Sequence, residues 1–217
     1  EISCSLVGSE MCIRDRDKHG CLVRQAIDEV LLASRCMREQ WANALLALLR
    51  GDVLSDDSQL PQSSHAIFLW SALSMYWRQL ASQLPAVGVA QPGSLRALCP
   101  VCGHVPTGSL ILDDPHAGLR YLQCSLCESQ WHVVRSQCTQ CDGSGELDYW
   151  CLDDKKAAVK AESCGECHSY LKAFYRQADA QIELVADDLA SLALDAEMDA
   201  QALSRTGLNP LMLPALI

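Results

Sequence analysis

Four cysteine pairs with the spacing Cys-x-x-Cys lie between residues 99 and 167 of the 217-residue chain. The second pair follows the first after 21 residues (103–123), and the fourth follows the third after 22 (142–163). Because the first two pairs fall on the last two after a shift of 39 to 40 positions, the block is an internal duplication. Each half supplies four thiolates, the number that a tetrahedral metal site requires. The predicted ligands are Cys99, Cys102, Cys124 and Cys127 in the first site and Cys138, Cys141, Cys164 and Cys167 in the second.

The pairing into sites has an alternative. A cross-braced arrangement would join the first cysteine pair to the third and the second pair to the fourth. The nearly equal spacing in the two halves favours the tandem arrangement instead. Four thiolates suit both zinc and iron. Zinc would have a structural role only, whereas iron would add a one-electron couple.

Two other chemistries fit parts of the cysteine pattern. The sequence from Cys164 to His168 matches the Cys-x-x-Cys-His pattern of haem c attachment. However, the equivalent pair in the first half lacks the histidine, and haem attachment would leave the third pair without partners. A redox dithiol is expected where a helix follows a strand, and none of the four pairs has that setting. Cys151 lies outside the metal spacing and is the candidate for a free reactive thiol.

Composition narrows the class of protein. The formal net charge of −10 argues against a general nucleic-acid binder, which needs a basic face to release counterions. With eight of its 13 cysteines in metal spacing, the chain favours metal sites in a reducing compartment over a disulfide framework. The most apolar run, Ala66–Trp77, is too short to cross a bilayer, and no signal peptide is visible. No nucleophile–base pair or phosphate-binding loop is recognisable, so we do not expect an enzyme.

Helices are predicted before the cysteines. Apolar residues recur at intervals of three and four from Cys21 to Leu49, which is typical of an amphipathic helix. A second helix is predicted over His65–Leu84; because it is apolar around much of its circumference, we expect it to be buried, either by its own chain or by a partner. Residues 51–64 are polar and rich in turn formers and predict a loop. Pro85–Leu98 has the composition of a linker.

Short strands and one helix are predicted in the remainder. The strands are expected at 109–114, at 119–124, at 147–152 and within 155–163. From Ala178 to Ser204 the chain has seven acidic residues and no Lys or Arg, and its apolar spacing predicts one amphipathic helix. The acidic residues are expected either to form a solvated face or to dock a partner.

Five segments carry a more specific pattern than the cysteine pairs alone. They are LCPVCGHVP (98–106), LRYLQCSLCESQWHVVRSQCTQC (119–141), ESCGECHSYLKAFYRQAD (162–179), ADDLASLALD (186–195) and GLNPLMLP (207–214). Together with the upstream helices they cover most of residues 20–214, and they resemble the FdhE family of accessory proteins for formate dehydrogenase. The chain departs from that family in its first residues: 1–16 (EISCSLVGSEMCIRDR) resemble a translated sequencing adapter, and the expected N-terminal portion is missing.

The resemblance implies an α+β fold in which a helical N-terminal domain precedes two tandem rubredoxin-like (zinc-ribbon-like) Cys4 metal modules and a C-terminal helix. It implies iron rather than zinc in both sites, and all eight ligand cysteines match the family pattern. It also implies a cytoplasmic, non-catalytic maturation factor that binds the catalytic subunit of respiratory formate dehydrogenase, without nucleic acid or a membrane span. Self-association into a homo-oligomer stays open.

These inferences give five predicted regions. They are a non-native adapter-like segment (1–16), an N-terminally truncated helical domain (17–97), the first rubredoxin-like module (98–136), the second module (137–176) and an acidic C-terminal helix and tail (177–217). Two alternative functions are a rubredoxin-type iron electron carrier and a zinc-ribbon nucleic-acid adaptor. The first would require a reversible iron couple, and the acidic balance of the chain argues against the second.

Overall fold

A computed structural model describes residues 6–50, 66–84, 97–152 and 156–215. The chain forms two compact units, which divide between Trp70 and Ser71. The predicted loop over 51–64 lies outside the described residues, as does nearly all of the predicted linker (85–96). Among the described helices, none combines the length and the apolar character that a membrane span requires.

The first part of the described chain is helical, as predicted. Its helices are α1 (Leu6–Cys36), α2 (Arg38–Arg50) and α3 (Ala66–Ala81). The single helix predicted from Cys21 to Leu49 is interrupted at Met37. The interruption is local, because the Met37 amide still donates to the Ala33 carbonyl and the Met37 carbonyl accepts from the Trp41 amide. Helix α1 also begins earlier than predicted, within the adapter-like segment, because extending an existing helix costs far less than nucleating one.

Helix α3 is only partly buried. Ala66, Leu69 and Trp70 in its first half are buried, whereas Met75 and Tyr76 are 72 % and 62 % exposed. The described part of the chain therefore covers the first half of the helix, and burial of its second half by a partner stays a prediction. The positions of apolar residues around a helix indicate which side chains burial would stabilise. The neighbouring elements determine which of those side chains are covered.

In the described part of the chain, seven strands form one mixed sheet. They are β1 (Pro106–Ile111), β2 (Arg120–Cys124), β3 (Gln130–Val133), β4 (Leu147–Trp150), β5 (Val159–Cys164), β6 (Ser169–Tyr175) and β7 (Ser204–Arg205). The order is β3-β2-β1-β6-β5-β4, and β7 pairs with the beginning of β6. The four predicted strands correspond to β1, β2, β4 and β5.

The sheet repeats the duplication seen in the cysteines. Each half forms an antiparallel three-stranded unit, β1–β3 or β4–β6, and its middle strand ends at the first cysteine of a pair, Cys124 or Cys164. The two units lie side by side in the same direction, because β1 pairs with β6 in parallel, with Ser109 opposite Ala173. The predicted boundary at 136/137 therefore separates two halves of one continuous sheet.

The chain after β6 forms two short helices where one was predicted. Helix α4 (Leu184–Ala190) and helix α5 (Leu192–Ala200) are separated by Ser191. The Ser191 hydroxyl donates to the Asp187 carbonyl at 2.7 Å, so the side chain competes with the backbone for a helical acceptor. A 3₁₀ helix (Pro210–Ala215) follows the short strand β7.

Helices α4 and α5 cover one face of the sheet. Two buried apolar clusters join them to the strands: Leu110, Phe174, Ile182 and Leu184 in one, and Ala161, Tyr170, Leu194 and Met198 in the other. Seven of these eight residues are at most 4 % exposed. The helices therefore form part of the core that holds the strands together.

Two of the acidic residues in the tail, one buried and one half-buried, belong to an ionic network. Lys172 on β6 and Asp188 on α4 are both completely buried, and Lys172 Nζ lies 3.1 Å from Asp188 Oδ1 and 2.5 Å from Asp195 Oδ2. Arg205 Nη2 lies 2.8 Å from both carboxylate oxygens of Asp188, and its Nη1 lies 3.0 Å from Asp195. The Tyr170 hydroxyl donates to Asp195 at 2.8 Å. The expectation of a solvated or docking face is therefore wrong for Asp188 and Asp195.

The Gly-Leu-Asn-Pro motif at 207–210 is part of the same arrangement. Asn209 donates to Asp188 Oδ2 at 2.7 Å and to the Val185 carbonyl at 2.9 Å. A β-carbon at Gly207 would lie 2.6 Å from the Thr107 carbonyl oxygen on β1, so only glycine permits this approach of the two backbones. The motif thus fastens the end of the chain to both the helices and the sheet.

A second buried ion pair crosses the opposite face of the sheet. Arg120 on β2 pairs with Glu162 on β5, and both side chains are at most 5 % exposed. Burial raises the pKa of Glu162, although the charges of Arg120 and Arg135 lower it in part. Because β2 and β5 belong to different halves of the sheet, this ion pair links the two repeats through their side chains.

Candidate metal centres

The eight predicted ligands form two clusters of four sulfur atoms. The first contains Cys99, Cys102, Cys124 and Cys127, the second contains Cys138, Cys141, Cys164 and Cys167, and within each cluster all Sγ atoms lie within 4.8 Å of one another. This tandem grouping is the one predicted from the spacing, and the cross-braced alternative is wrong. The fourth Cys-x-x-Cys pair faces the third, which argues against the haem c interpretation of Cys164–His168.

The sulfur–sulfur distances fit tetrahedral coordination. The shortest contacts are 3.4 and 3.5 Å in the first cluster and 3.7 Å in the second. A disulfide would bring the sulfurs to about 2.05 Å. Four thiolates placed at about 2.3 Å around one ion have sulfur atoms about 3.8 Å apart. Each donor set therefore fits one tetrahedral metal ion.

Backbone amides point at the sulfur atoms. The amides of Val101, Leu126 and Gln140 each lie 3.4 Å from the sulfur of the cysteine two positions earlier. Such N–H···S contacts stabilise the negative charge of a thiolate. Three of the four Cys-x-x-Cys turns thus present a hydrogen-bond donor to the first cysteine of the pair.

The residue after each Cys-x-x-Cys pair has a left-handed backbone conformation. The φ angles are 75° at Gly103, 56° at Glu128, 58° at Asp142 and 52° at His168. Glycine adopts this conformation without strain, whereas the other three do so at a cost. His168 occupies the equivalent position, which gives it a conformational role in the turn.

The part of the chain that holds both sulfur clusters matches two models of known protein families. The family model described as "FdhE, central domain" matches residues 98–135, and "FdhE, C-terminal domain" matches residues 136–212. Together they cover more than half of the chain and both sulfur clusters. The chain belongs to the FdhE family.

Individual relatives agree with this assignment. A "Protein FdhE homolog" from Pasteurella multocida is 46 % identical over 187 residues, which are 86 % of this chain and 60 % of the relative. The homolog from Yersinia pestis is 50 % identical over 169 residues, which are 78 % of this chain and 55 % of the relative. The crystal structure of the FdhE protein from Pseudomonas aeruginosa matches with a TM-score of 0.71 and 37 % identity, over 85 % of this chain and 64 % of that one. The chain thus spans less than two thirds of each relative's length.

The two sulfur clusters of this FdhE chain differ in their exposure to solvent. In the first cluster, three cysteines are buried and Cys102 is half-buried. In the second, Cys138 and Cys164 are buried, Cys167 is half-buried and Cys141 is exposed. An ion in the second cluster would therefore be more accessible to solvent and to a partner.

A serine contacts the last cysteine of each cluster. The Ser129 hydroxyl lies 3.2 Å from Cys127 Sγ, and the Ser169 hydroxyl lies 3.0 Å from Cys167 Sγ. Both serines come two residues after the cysteine, so the duplication includes them. Neither was predicted, although a Cys-x-Ser sequence at equivalent positions of the two halves was the available signal.

Without a metal ion, the thiols of the first cluster share protons. Hydrogen bonds with Cys102 and Cys124 lower the pKa of Cys99 to about 7. Contacts with the same two thiols lower the pKa of Cys127 strongly, whereas contacts with Cys102 and Cys127 raise that of Cys124. Four adjacent thiolates are therefore stable together only when a cation replaces the shared protons.

The left-handed turns give a test of the local geometry. We expect Gly103→Ala to lower the free energy of unfolding of the metal-loaded chain by about 1 kcal/mol, because alanine is strained at this φ. A β-carbon there would meet no atom within 4 Å, so backbone strain is the cause being tested. His168→Gly should leave the stability unchanged or raise it. Urea denaturation measures both, and an equal loss in both variants would contradict the interpretation.

Proposed function

We propose that this chain is an accessory protein for the maturation of respiratory formate dehydrogenase, which acts in the cytoplasm by binding the catalytic subunit of that enzyme. Membership of the FdhE family is the observation that carries the proposal. The two sulfur clusters support the proposal, because the sequence segments that resemble the family most specifically contain the cysteines of these clusters. The proposal assigns a binding role and no catalytic step to this chain.

The eight clustered cysteines are proposed as the ligands of two metal ions, one for each half. The donor distances support one ion in each cluster. Iron is our first choice because of the family resemblance, and zinc is the alternative. Iron would supply a one-electron couple, and either ion would fix the turns and hold the ends of the strands in place.

The docking surface is proposed to include the rims of the sulfur clusters. Val101 in the first Cys-x-x-Cys turn is 37 % exposed, and Cys141 in the third is exposed. Because these turns carry the proposed ligands, their conformation is expected to depend on the metal. Loss of a metal ion would therefore alter the contact surface directly.

A pull-down with this chain as bait tests the proposal. The wild-type chain is compared with a Cys124→Ser, Cys127→Ser variant and with a Cys151→Ser control, in which the altered thiol lies outside both clusters. We expect the wild type and the control to retain the catalytic subunit of formate dehydrogenase, and the double variant to lose it. Far-UV circular dichroism establishes that the variant keeps its helices.

The other outcomes are also informative. Equal retention by all three baits would preserve the accessory role and limit the first metal site to a scaffold. If no bait retains formate dehydrogenase, the proposal fails. The second candidate, a rubredoxin-type electron carrier, is favoured by the exposure of Cys141, because electron transfer benefits from a metal near the surface. Cyclic voltammetry of the iron-loaded chain would then have to show a reversible couple.

A further inference from the structure

Arg120 contacts two segments that lead into the second sulfur cluster, although it belongs to the first half of the sheet. Its Nη1 donates to the Gln137 carbonyl at 3.3 Å, and Gln137 immediately precedes Cys138. Its Nη2 pairs with Glu162, which lies two residues before Cys164 on β5. One guanidinium therefore joins the segment that carries the first cysteine of the third pair to the strand that carries the first cysteine of the fourth.

Both contacts of this guanidinium lie in the interior. The side chains of Arg120 and Glu162 are 3 % and 5 % exposed, and Cys138 and Cys164 are the two buried ligands of the second cluster. A cavity lined by these four residues and their neighbours has a volume of about 10 Å³, which leaves room for about one water molecule. Because water has little access, hydrogen bonds from the charged group are strong here.

The duplication does not repeat this contact. Two residues before Cys124, where the second half has its glutamate, the first half has Leu122, which is completely buried and cannot pair with a guanidinium. Four residues before Cys164, at the position equivalent to Arg120, the second half has Lys160. Within the described part of the chain, this ionic contact therefore supports the second cluster and not the first.

We propose that Arg120 is a positioning residue for the second metal site. It holds the segments of Cys138 and Cys164 at the separation that one ion requires, and so it raises the affinity of that site for metal. Arginine suits this role because its planar guanidinium directs donors at two acceptors at once, whereas lysine carries a single nitrogen on a flexible stem. The inference rests on the proposal of one ion in each cluster, and it is independent of the role in formate dehydrogenase maturation.

Arg120→Lys tests the proposal, since it keeps a positive charge beside Glu162 but cannot bridge both acceptors. The full chain is loaded with cadmium-113, which should give a separate NMR signal for each tetrathiolate site, and Cys141→Ser assigns the signal of the second site. Titration with EDTA then compares the two sites in one sample. We expect Arg120→Lys to weaken the second site by about tenfold or more and the first by less than about twofold, because removing a group that orients metal ligands costs about 10- to 100-fold in affinity. Arg176→Lys, the same exchange at an exposed arginine, should change neither site.

The selectivity for one site distinguishes positioning from general stability, which thermal unfolding of each loaded variant reports separately. The inference is overturned if Arg120→Lys leaves the second site unchanged or weakens both sites equally. If that variant does not fold, Glu162→Gln replaces it. Its amide oxygen still accepts from the guanidinium, so the second site should weaken by a smaller factor while the first is unchanged, and the same two results would overturn the inference. A wild-type chain with fewer than two cadmium signals would overturn the proposal of one ion in each cluster, and this inference with it.

Discussion

Removal of the metal ions with a chelator at neutral pH is expected to unfold the sheet. The middle strand of each half ends at a sulfur cluster, at Cys124 in one half and at Cys164 in the other. A structural tetrathiolate site contributes on the order of 10–16 kcal/mol at neutral pH, whereas a whole domain has a net stability of about 5–15 kcal/mol. We therefore expect the described sheet to depend on the ions. Loss of near-UV circular dichroism and a shift in the fluorescence of Trp131 and Trp150 would report the unfolding.

Substitution of single ligands provides the matched comparison. Cys124→Ser should reduce the metal content of anaerobically prepared protein from two ions to one, and Cys151→Ser should leave it unchanged. Because Cys141 is exposed and Cys124 is buried, Cys141→Ser should destabilise the fold less than Cys124→Ser. A wild-type metal content well below two per chain, or a chelated chain with an unchanged near-UV spectrum, would contradict the interpretation.

The sequence allowed both clusters to be predicted because their geometry is local. A Cys-x-x-Cys turn brings two sulfurs together through the backbone of four residues, and equal spacing then determines which turns combine. The same spacing carried the family resemblance. The serines that follow Cys127 and Cys167 were missed because Cys-x-Ser, although it recurs in both halves, is not itself a spacing of metal ligands.

The arrangement of the sheet was harder to predict because its central pairing is remote in sequence. Strand β1 pairs with β6, and Leu110 lies opposite Phe174, 64 positions later. Strand β6 is also buried on both faces, so it lacks the alternation of apolar and polar residues that marks a half-exposed strand. Lys172 at its centre looks like a surface residue in the sequence. Only the tertiary structure places it against Asp188 and Asp195.

Two residues of the acidic tail, Asp188 and Asp195, were misinterpreted for the same reason. Seven acids without a basic residue nearby predict a solvated face when only local sequence is considered. The counterions are supplied from a distance: Lys172 comes from β6, and Arg205 comes from β7 after the helices. Asp188 and Asp195 occupy the side of α4 and α5 that faces the sheet, where each has a cationic partner.

The largest single-residue effect outside the metal sites is therefore expected at Asp188. Replacing it with alanine leaves the buried Lys172 and the half-buried Arg205 with one carboxylate, Asp195, between them. Removing one partner of a buried ion pair costs about 3–5 kcal/mol. We expect Asp188→Ala to lower the free energy of unfolding of the metal-loaded chain by that amount. Asp199→Ala, an exposed acid on α5, should change it by less than about 0.5 kcal/mol.

The ionic network has two roles: its charges neutralise one another, and its side chains pack α4 against the sheet. Replacing two partners at once separates these roles, because each predicts a different stability for the double variant. The cost of Asp188→Ala is expected to arise from the uncompensated charge of Lys172. In that case the double variant Lys172→Met, Asp188→Leu should recover most of the lost stability. Apolar residues of similar volume can replace a buried ion pair at little cost in stability. Urea denaturation of the single and double variants gives the coupling energy directly. Alternatively, the loss of stability in the double variant could equal the sum of the losses in the two single variants. That result would mean that the network positions α4 on the sheet through the hydrogen bonds of Lys172 to the Asp188 and Ser191 carbonyls, at 2.9 and 3.1 Å.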